Sequence, residues 1–139
     1  MTEIKTSSTP EIGVPPKLIF DYYDEDEFKT FLDSLPSSVA VKVISKMQDV
    51  ATIGLAKAVT KQVVKKVDSK KGIYELRVDT NGIFTRSLFF RLQKAKKNED
   101  DGNPPTYIIT NAFKKKTNKT QSKELKKAIK RKANYRNKR

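Results

Sequence analysis

The chain contains no histidine and no cysteine. Without cysteine there are no disulfides and no thiolate metal ligands. Without histidine, imidazole acid–base catalysis and the commonest zinc ligand are gone as well. Any chemistry here falls to Lys, Arg, Tyr and carboxylates, and neither a metal nor a cofactor is expected. Long apolar runs are also missing. None approaches the roughly 20 residues that span a bilayer. The N-terminus has no basic start followed by an apolar stretch, so no signal peptide is read and a cytoplasmic location is expected. There is no phosphate-binding glycine loop, heptad pattern or internal repeat. The apolar fraction is 36% of 139 residues, enough for the modest core of one domain.

Positive charge, by contrast, is plentiful and unevenly placed. Lys and Arg number 30 against 16 acids, for a net charge of +14. Residues 1–33 hold 8 acids and 3 bases, residues 34–105 hold 7 and 14, and residues 106–139 hold 1 and 13. The net charge of the three segments thus climbs from −5 through +7 to +12. A solvated tail that only aids solubility normally mixes both signs. A field polarised in this way attracts polyanions.

Residues 1–16 are rich in Ser, Thr, Pro and Gly without periodicity and end at Pro15 and Pro16, which predicts a flexible leader ahead of one domain over 17–139. Residues 17–23 (KLIFDYY) read as a first strand. Asp24, Glu25, Asp26 and Glu27 precede Phe28, Phe31, Leu32 and Leu35 at helical spacing. The acids fit the positive end of a helix dipole better than a metal site, because adjacent acids on a first turn point in different directions. A second helix follows, capped by Ser37 or Ser38, striped by Val41, Ile44, Met47, Val50 and Ala51, and ended by Gly54. Residues 55–72 are basic and ambiguous. Residues 73–79 (IYELRVD) and 83–92 (IFTRSLFFRL) flank Asn81-Gly82, a strong hairpin signal. Residues 93–105 form a polar loop, residues 107–112 another strand, and a basic helix begins at Thr120 or Ser122 and runs to about Asn137. The order β-α-α-β-β-β-α predicts an α+β fold, an antiparallel sheet with an N-terminal helical hairpin and a C-terminal helix.

The hairpin sets Arg77 close to Arg86. An arginine in a sheet has either a partner or a surface role. Glu75 or an acid of the first helix is a partner for Arg77. Arg86 has no acid nearby in sequence and is therefore expected to face solvent. Lys114, Lys115 and Lys116 end the last strand, and alternation brings at least one of them to the arginine face. Fixed cations of this kind stabilise charge on a phosphoryl group in its transition state. They also grip a nucleic-acid backbone without reading its sequence. Phe113, Tyr107 and Tyr135 are aromatics that can stack on unpaired bases, although Phe113 reads more simply as core.

The stretch GIYELRVDTNGIFTRSLFF, then YIITNAFKKKTNKT and a helix carrying Ala128, Arg131 and Tyr135, resembles the phage-type HigB branch of the RelE/ParE toxin superfamily. Each motif is weak alone; their order and spacing are fairly specific. The resemblance implies the toxin of a type II toxin–antitoxin pair, a ribosome-dependent endoribonuclease that cleaves mRNA without a metal and is neutralised by a helix-turn-helix antitoxin in a hetero-oligomer. Carried over by motif, Arg77, Arg86, Lys114, Lys115, Lys116 and Tyr135 are the catalytic candidates. Lys119, Lys126, Lys127, Lys130 and Arg131 are the RNA-binding candidates. The sequence departs from the family pattern in three places: a longer loop at 93–105, Gln121 where relatives carry Pro, and Asn111 where they often carry His. The competing readings are a ParE-like toxin that is not a nuclease and a non-enzymatic nucleic-acid binder. A membrane-surface protein is a weaker reading, because the last helix lacks a bulky apolar face.

Overall fold

A computed structural model describes residues 15–93 and 102–137, the last two by backbone alone. The proposed leader up to residue 14 and the loop segment 94–101 lie outside the described residues. Nine elements follow in order: β1 (Ile19–Tyr22), α1 (Glu25–Asp33), α2 (Ser37–Ile53), α3 (Leu55–Thr60), β2 (Val64–Asp68), β3 (Ile73–Thr80), β4 (Ile83–Arg91), β5 (Thr106–Lys114) and α4 (Asn118–Asn137).

Local chemistry explains most of the boundaries. Asp24 caps α1, its carboxylate accepting from the Glu27 amide at 3.0 Å, and Glu25, Asp26 and Glu27 occupy the first turn. The acidic run is a cap, as expected. Gly54 ends α2 at φ 89°, a left-handed conformation that suits glycine. Asn81 and Gly82 both have positive φ, 54° and 74°, the signature of the tight turn whose twist matches a hairpin. Helix α4 starts at Asn118, two residues before Thr120 and four before Ser122, because the Thr117 hydroxyl accepts from the Thr120 amide at 3.1 Å and so acts as the cap.

The sheet order is β1-β5-β4-β3-β2. Every pair is antiparallel except β1 with β5, which is parallel, so the sheet is mixed. The ambiguous stretch 55–72 holds two further elements, α3 and the edge strand β2. A one-residue bulge between Leu88 and Phe89 opposite β5 leaves Thr110 as the extra residue, its hydroxyl donating to the Leu88 carbonyl at 3.2 Å.

Two cores result, one on each face. On the first face α1 and α2 cover Phe20, Leu76, Val78, Phe89, Tyr107 and Ile109. On the second, α4 covers Ile73, Leu88, Phe90, Ile108 and Phe113 through Leu125, Ala128 and Ile129. Arg77, Arg86 and the helix α4 that carries the basic candidates lie on this second face.

Candidate nucleic-acid interface

The register arranges the second face as rows across β3, β4 and β5. Arg77 opposes Arg86, which opposes Phe113. One row toward α4 stand Glu75, Leu88 and Asn111; one row away stand Asp79 and Phe84. The Lys115 amide donates to the Phe84 carbonyl at 2.7 Å, which continues the ladder past β5 and extends that outer row to Lys115. Directly opposed residues share a face, so Arg77 and Arg86 do lie together, as the hairpin signal implied.

Their environments differ, and one expectation fails. Arg86 does not face solvent: it is 3% exposed. Its guanidinium donates to Asp79 at 2.5 Å and to the Thr85 carbonyl at 2.8 Å, and its Nε sits 3.7 Å from Glu75. Asp79 is seven residues away in sequence but faces it across the hairpin. Arg77 keeps 36% of its side chain in water, with its Nε 3.9 Å from the other oxygen of Glu75. Glu75, 2% exposed, thus stands between two guanidinium groups and also accepts from Gln121 Nε2 at 2.5 Å. A buried carboxylate needs such partners. Sequence reasoning treated Glu75 only as a possible mate for Arg77 and missed that it fixes both arginines and the first turns of α4. Gln121 supplies that tie.

The three lysines separate. Lys114 opposes Thr85 and so belongs to the α2 side of the sheet. Lys115, half-buried, alternates onto the arginine face, and Lys116 is exposed in the turn before α4. Among the described residues, none of the three has a carboxylate within ion-pair distance. The first turn of α4 carries no acid either, so its positive dipole end is left uncompensated beside them.

Tyr135 is not brought to this cluster. It stands 14 residues beyond Gln121, about 21 Å along the helix axis, packed on Tyr23 at 6.4 Å and Phe90 at 6.0 Å between ring centres. Of the aromatics proposed for stacking, Phe113 is 8% exposed and Tyr107 is 4% exposed on the opposite face. Burial pushes the Tyr107 hydroxyl above its ordinary range. Phe84, which the sequence reading did not single out, is 48% exposed on the arginine face. Its signal was an aromatic residue between a tight turn and an arginine.

The RNA-binding candidates divide too. Lys119, Lys126 and Lys130 are exposed along α4. Arg131 donates both terminal nitrogens to Glu27, donates to the Thr110 carbonyl at 2.8 Å and lies 4.9 Å from the Tyr23 ring centre. Lys127 reaches Glu27 at 3.7 Å. The hydrogen bond from Arg131 holds the Glu27 carboxyl below its ordinary value of 4.5 against the opposing effect of burial, and Glu27 in turn raises Arg131. These two cations bind α4 to α1. Asn111 is 4% exposed and donates to the Glu124 carbonyl and carboxylate at 3.2 and 3.3 Å, a tie to α4.

Among the described residues no helix is long and apolar enough to cross a membrane, and no group of three or more acids forms a metal cluster. No curated protein and no solved structure matches the chain. Residues 30–133 match the family described as Phage derived protein Gp49-like, from within α1 nearly to the end of α4, so both the arginine row and the helix tied to it fall inside the match. The chain belongs to the Gp49-like family of phage-derived proteins, a family of RelE/HigB-type toxins associated with toxin–antitoxin pairs.

Proposed function

We propose that the protein is a toxin of the HigB branch that cleaves mRNA on the ribosome and is held inactive by a helix-turn-helix antitoxin. One observation carries this reading within the family: the sheet face that α4 covers is left open beyond the helix N-terminus, where Arg77 and Lys115 stand in adjacent rows with Lys116 close in sequence.

The chemistry that suits such a site is attack by a ribose 2′-hydroxyl on the adjacent phosphate. A P–O2′ bond forms and the P–O5′ bond breaks, leaving a 2′,3′-cyclic phosphate and a 5′-hydroxyl. The 2′ proton is lost to a base and the 5′-oxygen takes one up, so protons balance without a metal. Charge builds on the nonbridging oxygens, where preorganised cations have their largest effect. Arg77 and Lys115 are assigned that role. Arg86, neutralised by Asp79 and Glu75, is assigned to positioning. The exposed lysines of α4 hold flanking backbone, and an antitoxin segment over the same surface competes with RNA.

Induction without the antitoxin is expected to arrest growth and to leave new transcript ends on ribosome-bound mRNA, mapped by primer extension. Growth arrest with intact transcripts would replace this reading with a ParE-like toxin that is not a nuclease.

A further inference from the structure

Phe84 is 48% exposed and belongs to neither hydrophobic core. Burying a phenyl side chain is favourable, and the other second-face aromatics obey: Phe90 and Phe113 are buried and Tyr135 is packed against its neighbours. The other large hydrophobic side chains left exposed are Ile19, Val41 and Val59, all aliphatic. Phe84 is thus the one exposed aromatic among the described residues, and it sits one row beyond Arg77 and Arg86.

We infer that Phe84 is a stacking platform for an unpaired nucleobase, next to the phosphate held by Arg77 and Lys115. This rests on the nucleic-acid reading of the face and adds to it the form of the substrate: single-stranded at this nucleotide.

Three features support it. The backbone that carries the ring is fixed, because the Phe84 carbonyl accepts from the Lys115 amide at 2.7 Å and its strand is paired through Asp79. It lies two residues from Arg86 along β4, about 7 Å, within reach of a base on a nucleotide whose phosphate lies at Arg77. Its surroundings favour an anion: the acid of its row, Asp79, is already paired with Arg86 at 2.5 Å, and Lys115 flanks the other side. A phenyl ring offers a π face and no hydrogen-bonding group. It therefore accepts any base by stacking and selects for unpaired strands rather than for sequence.

The chain has no tryptophan, so Phe84→Trp in the full-length protein places a single indole on the platform. The probe is a short single strand with 2′-deoxyribose throughout, which cannot be cleaved by the proposed route. Saturable quenching of the indole by this strand, with little from a duplex of equal length or from inorganic polyphosphate, is the expected result. Phe84→Ala is expected to lose roughly 5- to 150-fold in affinity for the strand, the range for one stacked base, while keeping its affinity for polyphosphate and its thermal midpoint. Equal quenching by polyphosphate or by duplex would overturn the proposal, as would unchanged strand binding by Phe84→Ala. If Phe84→Ala bound RNA normally but escaped the antitoxin, the ring would be a protein contact and the proposal would fall. Because the probe is uncleavable, a stacking result that stands beside intact transcripts would remove the nuclease reading alone.

Discussion

The two ends of helix α4 treat their cations in opposite ways. Toward the C-terminus, Arg131 and Lys127 are paired with Glu27, and Tyr135 is packed between Tyr23 and Phe90. Toward the N-terminus, Arg77 keeps a third of its surface in water, and Lys115 and Lys116 have no carboxylate in ion-pair range among the described residues. The same residue types thus anchor the helix at one end and form an open positive surface at the other. What separates the two is where the acids stand: Glu27 serves the far end, and Glu75 and Asp79 serve Arg86 at the near one. A count of basic residues does not reveal a binding surface until the paired ones are set aside.

Arg86 is the sharpest test of that division. Arg86→Ala would strand Glu75 as a buried charge with only Arg77 and Gln121, and losing one partner of a buried pair costs about 3–5 kcal/mol. Urea unfolding is expected to show that loss. A change within about half a kcal/mol, typical of surface sites, would mean that the pairing is not formed. Activity lost in Arg86→Ala is then a loss of folding, whereas in Arg77→Ala it is not.

The far-end anchor is smaller and depends on pH. The Glu27 carboxyl is depressed in the folded state, so its stabilisation is present above the unfolded value and fades as pH falls through the folded one. Glu27 is also partly exposed, so solvent screens the pair and its worth is on the order of 1 kcal/mol at neutral pH. Glu27→Gln is expected to unfold that much more easily at pH 7 and to flatten stability against pH in the acid range below 4.5. Curves that stay parallel from pH 7 to pH 3 would show that Arg131 is not held by Glu27.

Exposed lysines should give the smallest effects. Lys119→Ala and Lys126→Ala are each expected to weaken RNA binding a few-fold, independent of sequence, and to lower the slope of affinity against salt by about 1. Stability should hold. An unchanged slope would place these lysines away from the RNA backbone.

The features legible in the sequence are those with local causes. The Asp24 cap, the Gly54 stop and the Asn81-Gly82 turn each need only a few adjacent residues, and the hairpin register that sets Arg77 beside Arg86 follows from the turn. Strand β2, with the sequence VKKVD, carries exposed Lys65 and Lys66 and resists reading because edge strands are blunted by charge. The parallel β1–β5 pair joins residues almost ninety apart, and no local pattern encodes it. The burial of Arg86 was missed because its acids come from across the hairpin, and Glu75 because its third partner, Gln121, lies 46 residues away.

The proposed function assigns chemistry to the open end of α4 and structure to the closed one. The most direct measurement is transcript cleavage by Arg77→Ala in a purified translation reaction, beside its thermal unfolding. Cleavage is expected to fall on the order of a hundredfold or more, the usual effect of losing one transition-state donor, with stability lowered by about 1 kcal/mol at most, because the Arg77 contact to Glu75 is long and partly exposed. A folded Arg77→Ala protein that cuts ribosome-bound mRNA at the wild-type rate would contradict it.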